Sequence, residues 1–139
     1  MDTNTIPTCS ILIVRTDESS SSQLSMALSK TGFNVINAHN GYEAVRFLQE
    51  RKDIVIAILD TDLPDINGYE VTRIIRKSGK ANLVIILLAW FSVQSLEAGN
   101  AVGCNELIAK PINTEELVEI AMKWRSTKHA LKPEKIKSR

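Results

Sequence analysis

Two charged residues at the ends of apolar runs are placed to do chemistry. Asp60 closes the run Ile54-Val55-Ile56-Ala57-Ile58-Leu59 and is followed by Thr61-Asp62-Leu63-Pro64-Asp65-Ile66-Asn67-Gly68. Lys110-Pro111 follows a shorter strand-like run at 106–108. An aspartate facing a lysine across a crevice is a phosphate-type site: the carboxylate can attack phosphorus, and an ammonium is a compact point charge suited to a phosphoryl oxygen. The plainer reading is an Asp–Lys ion pair at a strand edge. A β-branched run that breaks into Asp, Pro and Asn-Gly reads as a core strand running out into a turn. Asp60 is therefore expected to be presented rather than buried.

The elements that must position these groups follow a regular rhythm. Strand-like runs at 11–14, 34–38, 54–59, 83–88 and 106–108 are each followed by a segment with helical spacing or caps. Leu24, Ala27 and Leu28 share one helical face, with Gly32 as a stop. Asn40-Gly41 opens a second helix with Ala44, Val45, Phe47 and Leu48 inward. A third, over 69–77, turns Val71, Ile74 and Ile75 inward. The fourth, over 92–102, is weakened by Gly99 and Asn100 and is expected to be the most mobile. Asn113 with Glu116 three residues on signals the fifth, whose Leu117, Ile120, Ala121 and Trp124 repeat at helical spacing. Alternating β and α units joined by short connections specify a parallel sheet covered on both faces, a three-layer α/β/α sandwich with strand order 2-1-3-4-5. In that order the loops after strands one, three, four and five meet above the sheet. They carry Arg15, Thr16, Asp17 and Glu18; Asp60 and Asp62; Leu88 and Ala89; and Lys110-Pro111.

The composition narrows the function classes. At 139 residues with 44% hydrophobic content the chain has room for one domain and its core. A net charge of +1 lacks the basic excess of a nucleic-acid or membrane-surface binder, so a protein or a small anion is the expected partner. Its apolar runs fall far short of the roughly 20 residues of a membrane span, and residues 1–10 lack the pattern of a secretory signal, so a cytoplasmic location is expected. Cys9 and Cys104 form no C-x-x-C pair and read as reduced bystanders.

Ile11-Leu12-Ile13-Val14, Asn40-Gly41-Tyr42-Glu43-Ala44, Asp60 with Leu63-Pro64 and Asn67-Gly68, and Ile108-Ala109-Lys110-Pro111 together resemble the response-regulator receiver domains of two-component phosphorelay systems. The resemblance covers residues 10–126, between an N-terminal extension at 1–9 and a basic C-terminal tail at 127–139. It implies a flavodoxin-like fold, Asp60 at the phospho-acceptor position, Lys110 at the phosphate-pairing position and a cis Lys110–Pro111 bond. It also implies partners: a histidine kinase, a phosphotransfer protein or an output domain.

The chain departs from the family's pattern at four positions. Where the family places an acidic Mg²⁺-holding pair after strand one, this chain has Arg15 and Thr16, so Mg²⁺ binding is expected to be weak or lost. Asp60, Asp17 and the backbone carbonyl of Asp62 are the remaining metal candidates, although Asp17 and Glu18 would equally serve the start of the first helix. Leu88 replaces the family's hydroxyl residue and Leu107 its aromatic switch, removing both moving parts of the usual coupling. Arg15 is expected to pair with Asp60 and supply the charge that Mg²⁺ would bring. Trp90 and Phe91 are candidates for an exposed aromatic partner surface, or else core packing. Two other readings compete. One is a phosphatase-like hydrolase working through a phosphoaspartyl intermediate at Asp60-x-Asp62. The other is a flavodoxin-like binder using the hydroxyl-rich loop at Thr16 and 19–22.

Overall fold

The apolar run at 54–59 becomes the middle strand of the sheet. In the computed structural model, which describes residues 9–127, the elements in chain order are β1 (Ser10–Val14), α1 (Glu18–Ser29), β2 (Asn34–Ala38), α2 (Gly41–Glu50), β3 (Ile54–Asp60), α3 (Gly68–Lys77), β4 (Val84–Ala89), α4 (Val93–Val102), β5 (Glu106–Ala109) and α5 (Thr114–Thr127). The five strands are all parallel, in the order β2-β1-β3-β4-β5. The expected sandwich is the one observed, with element ends shifted by a residue or two. Most of the N-terminal extension and of the basic tail lies outside the described residues.

Strand alternation divides the core in two. Leu12, Val14, Leu59, Ile85, Leu87 and Leu107 pack with Leu48, Val71 and Ile75 beneath α2 and α3. Ile11, Ile13, Ile56, Ile58, Ile86, Leu88 and Ile108 pack with Leu24, Leu28, Leu117 and Ile120 beneath α1 and α5. Both faces of β1, β3 and β4 are buried, which is why they read as unbroken apolar runs. The pairing of β1 with β3 is irregular: Ser10 pairs with Ile54 but Ile11 pairs with Ile56, leaving Val55 unmatched. That bulge puts Ile56, Ile58 and then Asp60 on the α1/α5 side.

Local capping fixes where each helix starts. Asn40 accepts from the Glu43 amide and Asn67 from the Glu70 amide, both at 2.8 Å, so the two Asn-Gly pairs serve as N-caps. Asn113 does the same for α5 through Glu116, at 2.9 Å. The fourth helix offsets its glycine and asparagine with a reciprocal Ser92–Ser95 capping box and a left-handed Gly103 at its end. Arg76 ties α3 to the β4–β5 side. It donates to the carbonyls of Lys80, Leu83 and Gly103 and to Asn105 Oδ1, and burial lowers its guanidinium to about 10.

Gly68 sets the distance between α3 and the strand that carries Asp60. A Cβ there would lie 2.7 Å from the Asp60 carbonyl oxygen and 3.1 Å from the Thr61 Cα, both backbone atoms that cannot swing away. Gly68→Ala is therefore expected to lower stability by about 1–3 kcal/mol, measured by urea unfolding, because α3 must move off the strand end.

Candidate functional site

Alternation along the strands lines up the chemistry. Arg15 continues the parity of Ile11 and Ile13, Asp60 that of Ile56 and Ile58, and Lys110 that of Ile108, so all three leave the sheet on the α1/α5 side. Register does the rest, since Val14 pairs with Leu59, Asp60 with Leu88 and Ala89 with Ala109.

Asp60 stands between two cations. Its Oδ1 accepts from Lys110 Nζ at 2.6 Å and from the Asp62 backbone amide at 3.0 Å. Its Oδ2 lies 3.8 Å from Arg15 Nε. Lys110 also reaches Asp62 Oδ2 at 3.5 Å, and its ammonium lies 5.8 Å from the centroid of the Trp90 ring. The Lys110–Pro111 peptide is cis. Asp60 is buried, contrary to the expectation that it is presented: a carboxylate with a cation on each side loses its exposure to them without losing its charge partners.

The loop after β3 is pinned on both sides. Thr61 donates to the Leu88 carbonyl through its amide, at 3.0 Å, and through its hydroxyl, at 3.2 Å, while the Gly68 amide donates to the Thr61 carbonyl at 3.2 Å. Asp65, which sequence reasoning did not single out, accepts from the Gly41 and Tyr42 amides at 2.7 and 2.9 Å. Burial works to raise the Asp65 carboxyl, but the backbone donors Tyr42 and Gly41 outweigh it and hold the group below its ordinary value. Only the tertiary fold brings the start of α2 to this loop, so its one local sign was a carboxylate just before an Asn-Gly cap.

The other sequence-predicted residues take varied places. Asp17 is the exposed N-cap of α1, accepting from the Ser19 amide at 3.1 Å, and Thr16 and Glu18 are exposed beside it. Leu88 is fully buried on the α1/α5 side and Leu107 is buried on the other. Trp90 and Phe91 are 62% and 49% exposed, so the core-packing alternative does not hold for them. Cys9 and Cys104 are free thiols, and burial pushes Cys104 up to about 12, which keeps it neutral and unreactive near pH 7.

Mg²⁺ does not fit the residues present. Both Asp60 oxygens face cationic or N–H donors, and Arg15 Nε is a buried donor on the side where a metal would need oxygens. Among the described residues no group of three or more His, Cys, Asp or Glu side chains is placed to hold a metal. Asp62, the second acid of the Asp60-x-Asp62 pair, is 71% exposed and reaches Lys110 rather than Asp60 with its carboxylate. A cavity of about 300 Å³ lies beside the pair, lined by Arg15, Ser20, Gln23, Trp90, Lys110 and Thr114 among others. A larger, mostly apolar cavity of about 720 Å³ at the opposite edge of the sheet holds none of the predicted site residues.

Fold and pocket define a doubly wound α/β domain with a carboxylate held between a lysine and an arginine at its topological switch point. The family model of the response regulator receiver domain matches residues 11–122, and the chain belongs to that family. It is a receiver domain of two-component signalling, a family that works through contacts with kinases and output domains. Over 108 residues it is 33% identical to the "Probable transcriptional regulatory protein SilR" of Salmonella typhimurium, covering 78% of this chain and 47% of that protein. It is also 33% identical over 121 residues to the "Uncharacterized transcriptional regulatory protein YkoG" of Bacillus subtilis, covering 85% of this chain and 53% of that one. The chain thus spans about half the length of these relatives. The crystal structure of a putative response regulator from Chloroflexus aurantiacus superposes with a TM-score of 0.77 at 28% identity, covering 86% of this chain and 98% of that one. No helix among the described residues is long and apolar enough to cross a membrane.

The sign of one substitution separates a two-cation pocket from an acidic metal pocket. Where carboxylates crowd together, neutralising one relieves repulsion; here it leaves two nearly buried cations facing each other. Asp60→Asn is expected to destabilise the fold by about 1–3 kcal/mol in urea or thermal unfolding.

Proposed function

We propose that this chain is a receiver domain whose pocket carries its positive charge permanently, and that it works by binding another protein rather than by a metal-dependent phosphorylation switch. Asp60 stands at the phospho-acceptor position and Lys110 at the phosphate-pairing position, while Arg15 and Thr16 replace the metal-holding pair. The observation that carries the reading is the Arg15 guanidinium at 3.8 Å from Asp60 Oδ2, opposite the 2.6 Å contact of Lys110 with Oδ1. A tethered guanidinium needs no ion from solution, so the charge state of the pocket does not follow Mg²⁺ concentration. Leu88 cannot hydrogen-bond a phosphoryl oxygen, and Leu107 lies packed in the core, so the hydroxyl-to-aromatic relay has no parts here.

The binding face is built around Trp90 and Phe91, joined by Val93, which is also exposed. Large aromatic side chains at a loop end are strong anchors for a protein partner. That partner is a histidine kinase, a phosphotransfer protein or an output domain. The chain acts without membrane insertion or nucleic-acid contact of its own, in the cytoplasm.

Two measurements check the reading. Replacing Arg15 and Thr16 together by aspartate should create Mg²⁺ binding in calorimetry that the unaltered chain lacks or shows only weakly; superimposable metal titrations of the two proteins would sink the account. Mass spectrometry after exposure to a small acyl phosphate should show little phosphorylation of the unaltered chain with or without Mg²⁺. Stoichiometric labelling that requires Mg²⁺ would contradict it.

A further inference from the structure

The end of the sheet opposite Asp60 carries a hollow. Val55 pairs with neither neighbouring strand, because the β1 register skips it and the β4 pairing begins at Ile56. Its side chain, the one exposed position of β3, lines a cavity of about 720 Å³. Leu48 of α2, Leu83 just before β4 and Trp124 of α5 continue the wall. That volume falls in the range of small-molecule pockets, roughly 300–1,000 Å³, and the wall is mostly apolar, as theirs are.

Two arginines hold the wall in place. Arg76 donates to the Lys80 and Leu83 carbonyls at 2.6 and 2.7 Å, which ties down the loop between α3 and β4. Arg125 of α5 donates to the Thr31 carbonyl at 2.9 Å and lies 4.3 Å from the centroid of the Phe33 ring. Filling a hollow whose walls are already fixed costs little in ordering them.

The charge at the rim has one sign. Among the described residues that line the cavity, Lys52, Lys80 and Arg125 are cationic and none is a carboxylate. Asp53, next along the chain from Lys52, is committed elsewhere: it accepts from Arg51 at 3.0 and 2.7 Å and from the Ser10 hydroxyl at 2.6 Å. The Thr31 contact leaves most of the Arg125 donors unspent among the described residues. An apolar hollow rimmed by three cations complements a molecule with an apolar body and an anionic head, and it disfavours a cationic one of the same shape.

We propose that this cavity binds a small amphipathic anion, in its simplest form a medium-length acyl carboxylate. The chain packs against Val55, Leu83 and Trp124, and the carboxylate meets Lys52, Lys80 and Arg125. The site is separate from the Asp60 pocket and does not depend on how that pocket is charged.

The test uses the full chain, titrated with decanoate, decanol and acetate below the concentration at which decanoate forms micelles. Calorimetry gives affinity and stoichiometry. Fluorescence of a Trp90→Phe variant isolates the response of Trp124, since these are the two tryptophans of the sequence. Decanoate is expected to bind saturably, one per chain, with a Trp124 response, decanol about tenfold more weakly and acetate not measurably. Lys52→Gln combined with Lys80→Gln should weaken decanoate about tenfold and leave decanol unchanged, a split that a general loss of fold does not give. Val55→Phe fills the hollow from a position already partly in solvent, and should weaken both ligands about tenfold or more while circular dichroism stays unchanged. The proposal is overturned by absence of saturable decanoate binding, by decanol binding as tightly as decanoate, by unchanged decanoate affinity in the lysine variant, or by full affinity in folded Val55→Phe protein. Sedimentation equilibrium adds a further check: a dimer that decanoate disperses would make a second copy of the chain the occupant and overturn it as well.

Discussion

A carboxylate held between two cations is the constraint on which the site depends. Taking Asp60 out of water at the end of β3 is unfavourable unless its charge is met, and the geometry meets it from both sides, with Lys110 at 2.6 Å and Arg15 at 3.8 Å. The three groups come from three separate strand ends, so the sheet has to be built in register for the pocket to exist. The bulge at Val55 turns Asp60 toward α1 and α5, and Gly68 allows α3 to close over the strand end. Asp65 then fixes the start of α2 to the same loop. Each device is local, yet all of them converge on one side chain.

The fold was legible because its signals were redundant. Five apolar runs bounded by Asn-Gly, Pro and Gly, with helical spacing between them, leave few topologies open, and the caps at Asn40 and Asn113 form as their spacing suggested. The Asp60–Lys110 approach was legible too, because a doubly wound sheet gathers the C-terminal ends of its central strands at one edge. What sequence reasoning missed depends on quantities that no local window contains. The burial of Asp60 follows from two side chains arriving from other strands. The role of Asp65 follows from where α2 begins in space, and the approach of the Lys110 ammonium to the Trp90 ring from the pairing of Ala89 with Ala109.

On the proposed reading, Arg15 and Thr16 stand where a metal-holding pair would be, and this changes the kind of control available to the pocket. A divalent ion is an exchangeable charge that brings its own waters and an octahedral demand, so its site answers to ion concentration and to new oxygens. A guanidinium is tethered, stays charged at any physiological pH and presents a planar fork. On the proposed reading, a pocket of the second kind is set by the fold rather than by the concentration of an ion.

On the same proposed reading, Leu88 and Leu107 belong with Arg15. A hydroxyl at the Leu88 position would be useful if a phosphoryl group came to be held beside it, and an aromatic at the Leu107 position if there were a vacated space to enter. On that reading neither movement has a driving force, and the two leucines are packed in the core, where burying such a side chain is worth about 1.5–3 kcal/mol. What remains able to respond lies at the rim, where the Trp90 ring rests over Lys110 beside the exposed Phe91. Lys110 thus touches both the buried Asp60 carboxylate and the face of the exposed Trp90 ring, joining the pocket to the surface by a single side chain.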